Sequence, residues 1–178
     1  GTTIPASSSP ACDMRHNAQH FQRAVESFMK VAILSGSVYG TAEEVARHAQ
    51  QLLQAAGLEA WHNPRAQLAD VQAFAPEAFL VVTSTTGMGE LPDNLQPLYY
   101  AIRDHLPAWQ GLPGAVLALG DSSYGDTFCG GGEMVRELYA ELGIREVLPM
   151  LRLDASETAS PEADAEPWLA ELAQALHG

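Results

Sequence analysis

The sequence predicts an α/β protein built on a doubly wound, five-stranded parallel sheet. Short apolar runs alternate with segments of helical period from Lys30 onward. Each strand and helix pair calls for a right-handed crossover, which lays helices on both faces of a parallel sheet. Three glycine- and hydroxyl-rich loops follow the first, third and fourth apolar runs. They therefore gather at the carboxyl edge of the sheet, where such folds bind ligands.

The first strand is Val31 to Leu34, and it breaks into Ser35 to Glu43, read SGSVYGTAE. A helix follows from Ala42 to Ala56, with Val45, Ala49, Leu52 and Leu53 spaced for one buried face and Gly57 closing it. Small hydroxyl and glycine residues at a helix start form a phosphate cradle, because the first turn has free N–H groups and a partial positive charge. No Lys or Arg lies in the loop, and neither G-K-[ST] nor G-x-G-x-x-G occurs there, so a nucleotide loop of the Walker type is excluded. An ordinary turn with Thr41 as N-cap and Glu43 and Glu44 matched to the dipole reads equally well from this stretch alone.

Leu58 to His62 makes a short second strand, and residues 63–76 a connector with a helical turn. Ala78 to Ser84 is the most apolar strand, suited to the sheet centre. The loop TTGMGELPD leads into a helix from about Asn94 to His105. Gly114 to Leu119 is the fourth strand, followed by the long loop GDSSYGDTFCGGG; Glu133 to Leu142 is a helix, Glu146 to Leu153 the fifth strand and Pro161 to Leu176 the last helix. Loops of such length at a ligand edge are where function resides.

With 178 residues, 47% of them hydrophobic, the chain can bury a sizeable core. The formal charge is −13 at pH 7 with Lys30 the lone lysine, so nucleic acid is not expected as a ligand and a basic protein partner is. No run is long enough to span a membrane. Cys12 and Cys129 make no disulfide framework and suit a reducing, cytoplasmic compartment. Residues 1–28 are expected to be an N-terminal extension, disordered or carrying a short helix with Phe21, Val25 and Phe28 on one face. The functional domain is expected over 29–178, with Met29 an original start.

SGSVYGTAE, STTGMGELPDN and LGDSSYGDTFCGG, in this order at successive strand ends, resemble the three FMN-binding loops of flavodoxins, most closely those of MioC-type short-chain members. The resemblance runs from Lys30 to Leu176. It implies strand order 2-1-3-4-5, non-covalent FMN, and electron transfer without a substrate reaction of its own. Phosphate contacts carry over to Ser35, Ser37, Val38, Tyr39, Gly40, Thr41 and Ala42. The second loop, Thr85, Thr86, Gly87, Met88 and Gly89, would lie against the inner face of the ring. Gly87 matches the glycine whose carbonyl turns toward the reduced ring, while Thr86 stands where relatives often carry an aromatic. Met88 is the nearest soft side chain. In the third loop Tyr124 matches the outer stacking tyrosine, Asp121, Phe128 and Cys129 match positions whose backbone meets the pyrimidine side, and Gly120 is a further cofactor-binding position. Gly125 reads as one extra residue in that loop.

Several of these residues also have a plainer reading. Tyr124 alone would pass for a half-buried surface tyrosine. Cys129 reads as a packing residue, with no second cysteine or basic neighbour nearby. Glu90, Asp93, Asp121 and Asp126 are solvated loop acids or, around a flavin, a field that guides a basic partner. The function implied is a monomeric carrier between a flavoprotein NAD(P)H reductase and a redox acceptor, such as an iron–sulfur or radical enzyme, with both docked electrostatically. An FMN-dependent NAD(P)H quinone reductase is the alternative enzyme. A phosphorylated signalling receiver would need acids where Ser35-Gly36 and Thr83-Ser84 stand.

Overall fold

The computed structural model describes residues 28–177, and within these the side chains of Tyr124, Asp126 and Thr127 are not described. The expectations for the N-terminal extension fall on 1–27, outside the described residues. Among the described residues six strands and five α-helices follow one another: β1 (Lys30–Gly36), α1 (Thr41–Ala55), β2 (Glu59–His62), α2 (Leu68–Phe74), β3 (Ala78–Thr83), α3 (Gln96–His105), β4 (Pro113–Gly120), a 3₁₀ segment (Ser122–Thr127), α4 (Gly130–Leu142), β5 (Arg145–Glu146), β6 (Leu151–Asp154) and α5 (Pro161–His177). All pairings are parallel, in the order β2-β1-β3-β4 with β5 and β6 both on the far side of β4. The sheet is thus doubly wound in the expected order 2-1-3-4-5.

The continuous apolar runs of the central strands reflect burial on both faces. Val31 and Ile33 of β1, with Leu80 and Val82 of β3 and Leu117 of β4, pack against α1 and α5 through Val45, Ala49, Leu53, Leu169 and Leu172. The alternate residues Ala32, Leu34, Phe79, Val81 and Val116 meet α2, α3 and α4. Each fully buried Leu or Val side chain contributes about 1.5–3 kcal/mol, so these two layers fix the frame that carries the loops. Trp109 sits on Phe79 with ring centroids 4.6 Å apart, and the Trp168 indole N–H donates to the Pro149 carbonyl at 3.0 Å. Both tryptophans serve the core.

Two local expectations are corrected. The fifth strand is not continuous over 146–153: β5 pairs with Pro113 and Gly114, the Val147 N–H makes a last bond to the Gly114 carbonyl at 3.0 Å, residues 148–150 leave the ladder, and β6 pairs with residues 117–120. Pro149 has no N–H to give a ladder, its carbonyl goes to Trp168, and Val147 and Leu148 turn into the α1–α5 core. The N-cap of α1 is Gly40, not Thr41: Gly40 takes φ 93°, a left-handed conformation in which a side chain would be strained.

Candidate functional site

The carboxyl ends of β1, β3 and β4 bring the three loops to one edge. In the first, the Gly40 N–H donates to Ser37 Oγ at 2.6 Å, closing a small turn onto the helix start. The Ser37 N–H donates to Asn94 Oδ1 at 2.9 Å. Among the described residues, no hydrogen bond engages the N–H groups of Val38, Tyr39, Thr41 or Ala42. Those four donors, beside the positive end of α1 and an open Gly40 with no atom within 4 Å of where a Cβ would stand, fit a terminal phosphate. Ser35 is built differently. Buried at 3% exposure, it shares a hydrogen bond of 2.8 Å through Oγ with His62 Nε2, which anchors β1 to β2 below the loop. Burial pulls the pKa of His62 below its ordinary value; Glu43 opposes that shift and Arg47 adds to it.

The second loop is a tight turn knotted by Thr86. The Thr86 N–H donates to the Glu90 carbonyl at 2.9 Å, the Glu90 N–H returns to Thr86 Oγ1 at 3.0 Å, and the Gly89 N–H reaches the Thr86 carbonyl at 2.9 Å. Threonine at this position therefore ties the turn with its hydroxyl. Leu91, fully buried, roots the loop, while Met88 is 81% exposed at its tip beside Gly87.

The third loop runs through the 3₁₀ segment and kinks at Gly125, whose φ of 64° and ψ of −116° fall outside helical space. Gly125, the extra residue read from the sequence, is where the loop changes direction. Asp121 accepts the Ser123 N–H at 2.9 Å, and the segment then folds back so that a Cβ on Gly120 would lie 2.8 Å from the Cys129 nitrogen and 2.9 Å from the Phe128 ring. Cys129 is fully buried with φ 58° at the start of α4, and burial pushes its thiol up to about 11. It is a packing residue in this setting, not an ionised thiol. Tyr124 has its backbone in the 3₁₀ segment; its side chain lies outside what the structure describes.

The loops also lock one another. A Cβ on Gly130 would stand 2.6 Å from the Gly89 carbonyl oxygen, one on Gly131 2.8 Å from the Ser84 carbonyl oxygen, and one on Gly36 2.8 Å from Leu95 Cβ. The Gly131 N–H donates to Thr85 Oγ1 at 3.2 Å. A small apolar cavity of about 30 Å³ between α3, α4 and the sheet, lined by Leu34, Phe79, Tyr99 and Trp109, lies in the core and is far too small for a flavin. The open edge formed by the loops is the candidate cofactor site. Three residues that hold it, His62, Asn94 and Asp154, were not among those singled out from the sequence.

Comparison with known proteins gives this edge its class. The flavodoxin family profile matches residues 33–168. The chain is 84% identical over 150 residues to an uncharacterized protein of Pseudomonas aeruginosa, covering 84% of this chain and all of that one. It is 40% identical over 140 residues to flavodoxin YqcA of Escherichia coli (79% of this chain, 93% of the relative), and 35% identical over 150 residues to the MioC homolog of Haemophilus influenzae (83% and 99%). Among solved structures, a cysteine-to-serine mutant of a Pseudomonas aeruginosa flavodoxin superposes with a TM-score of 0.83 at 83% identity, covering 84% of this chain and 100% of that one. The chain belongs to the flavodoxin family, with MioC-type relatives. Its cofactor is FMN, the group this family binds, and its class is that of FMN electron carriers.

Proposed function

We propose that the chain shuttles electrons between a flavoprotein NAD(P)H reductase and an acceptor protein, both docking electrostatically over the loop edge. In this reading the N–H groups of Val38, Tyr39, Thr41 and Ala42 hold the FMN phosphate, and Thr86 to Gly89 and the third loop flank the ring. FMN supplies the redox chemistry. The chain's own residues bind it, orient it and shape what may approach. The observation that carries the reading is the surface at this edge: Tyr39 at 94%, Met88 at 81% and Val38 at 43% exposure project from the first two loops, with the exposed acids Glu90 and Asp93 beside them. Large apolar side chains exposed on the first two loops, together with exposed acids of the second, on a chain of formal charge −13, suit a transient basic partner.

Stopped-flow reduction by a basic flavoprotein reductase at rising NaCl tests this. The rate falls steeply as the screening length drops from about 10 Å at 0.1 M to about 3 Å at 1 M, and more gently in Glu90→Gln/Asp93→Asn. A rate indifferent to salt would remove electrostatic docking.

A further inference from the structure

One side chain joins the two ends of the cofactor site. Asn94, in the turn before α3, accepts the Ser37 N–H through Oδ1 at 2.9 Å, and its Nδ2 donates to the Ser35 carbonyl at 3.3 Å and the Pro64 carbonyl at 3.4 Å. All three partners lie outside its own loop. A single carboxamide thus pins the start of the first loop and the β2–α2 connector to the root of the second. The neighbouring residue reinforces the link sterically: Leu95 lies so close to Gly36 that a Cβ there would stand 2.8 Å from Leu95 Cβ and 3.0 Å from its Cδ2.

Of the first-loop backbone donors, the Ser37 N–H is the one Asn94 takes, and the Gly40 N–H is the one Ser37 Oγ takes in turn. Asn94 therefore fixes Ser37, Ser37 fixes Gly40, and the four remaining donors have no partner among the described residues. The chain of bonds is short. It runs from the second loop's root to the helix start in two hydrogen bonds.

We propose that Asn94 is a positioning residue that couples the phosphate end of the FMN site to the ring end, so that filling one pre-orders the other. The inference rests on the assignment of the first loop to the phosphate and the second to the ring. A ligand at either end holds its own loop still, and the Asn94 bridge passes that order across. The second ligand then has less conformational freedom to remove, and it binds more tightly with no contact between the two ligands. Linkage makes the effect reciprocal: phosphate tightens the ring by the factor by which the ring tightens phosphate.

The test separates the two ends chemically by using riboflavin, which has the ring without the phosphate, together with inorganic phosphate. Riboflavin is titrated by fluorescence quenching into FMN-depleted full-length protein, with and without saturating phosphate, and FMN is titrated alongside. In the wild type, phosphate tightens riboflavin by about fivefold or more. In Asn94→Ala this factor collapses toward one, while FMN still binds, more weakly, and the circular dichroism spectrum is unchanged. Because alanine removes three hydrogen bonds, Asn94→Asp is measured beside it. It keeps an acceptor for Ser37 and the side-chain shape, but turns a carboxylate on the Ser35 and Pro64 carbonyls, and it too loses the factor. A wild-type factor retained in either folded variant, or no factor in a wild type that binds FMN, overturns the inference and leaves the functional reading standing. A wild type that binds neither FMN nor riboflavin overturns the reading itself.

Discussion

The Asp154 carboxylate, at the end of β6, accepts the backbone N–H of Ser122 at 3.1 Å and so fastens the third cofactor loop to the far side of the sheet. The same oxygen accepts the Ser156 N–H at 3.0 Å and the Ser156 hydroxyl at 2.7 Å, while the Ala155 N–H donates to the Gly120 carbonyl at 2.8 Å. The hydroxyls of Ser122 and Ser156 first, and their backbone N–H groups after them, hold the carboxyl well below the usual carboxylate range. Asp154→Ala should release the loop at the ring end and leave the phosphate end in place. FMN and riboflavin should therefore lose affinity by the same factor, measured by parallel fluorescence titrations. Loss confined to FMN would place the effect at the phosphate instead.

Gly130 is a site where one methyl group acts at a distance. Its Cβ would fall 2.6 Å from a backbone oxygen of the second loop, which cannot rotate away as a side chain would. Gly130→Ala should destabilise the protein by about 1–3 kcal/mol, the range for overpacking, and weaken FMN binding together with it. Thermal unfolding and a flavin titration check the pair. Unchanged values in both would mean that the second loop yields freely.

His62 gives the stability a pH dependence whose sign follows from its lowered pKa. Above the unfolded value of 6.5 the ring is neutral in both states and the pairing with Ser35 is intact. As pH falls through 6.5 the unfolded chain takes up a proton before the folded one does, so stability is lost toward acid until the lower folded value is passed. His62→Asn should flatten this slope in urea unfolding measured over roughly one pH unit either side of the ordinary histidine value. A slope unchanged in the variant would exclude His62 as its source.

Tyr124 is the residue proposed to stack on the outer face of the ring. An aromatic side chain carries about 150–250 Å², and half of that buried against the flavin contributes about 2–3 kcal/mol at about 25 cal/mol per Å². Tyr124→Ala should weaken FMN by the corresponding one to two orders of magnitude, roughly tenfold per 1.4 kcal/mol. Equal affinity in the variant would shift the stacking role to another residue of the loop.

Much of this molecule was legible because its signals are local. The central strands are apolar on both faces and bounded by glycine or hydroxyl residues, and the three loops carry their composition within a dozen positions each. The split between β5 and β6 was hidden because Val147, Leu148, Met150 and Leu151 continue the apolar run. Only the tertiary pull of the α1–α5 core and of Trp168 shows that residues 148–150 leave the ladder. The residues that hold the site were hidden for a related reason. His62 meets Ser35 across 27 positions, Asn94 meets Ser37 across 57, and Asp154 meets Ser122 across 32. A lone polar residue at a strand end or turn looks the same in sequence whether it faces water or a loop brought back by the fold. Thr86 stands where relatives often carry an aromatic, and only the fold shows that its hydroxyl ties the turn on which the ring would rest.

A carrier that serves other proteins takes its electrons from a reductase and not from a nicotinamide nucleotide itself. Anaerobic mixing of the FMN-loaded protein with NADPH, followed at the flavin absorbance, separates the two. No bleaching is expected over minutes with NADPH alone, and prompt bleaching once a trace of flavoprotein reductase is added. Rapid bleaching by NADPH alone would contradict that expectation, and would make the chain an NADPH-dependent reductase in its own right.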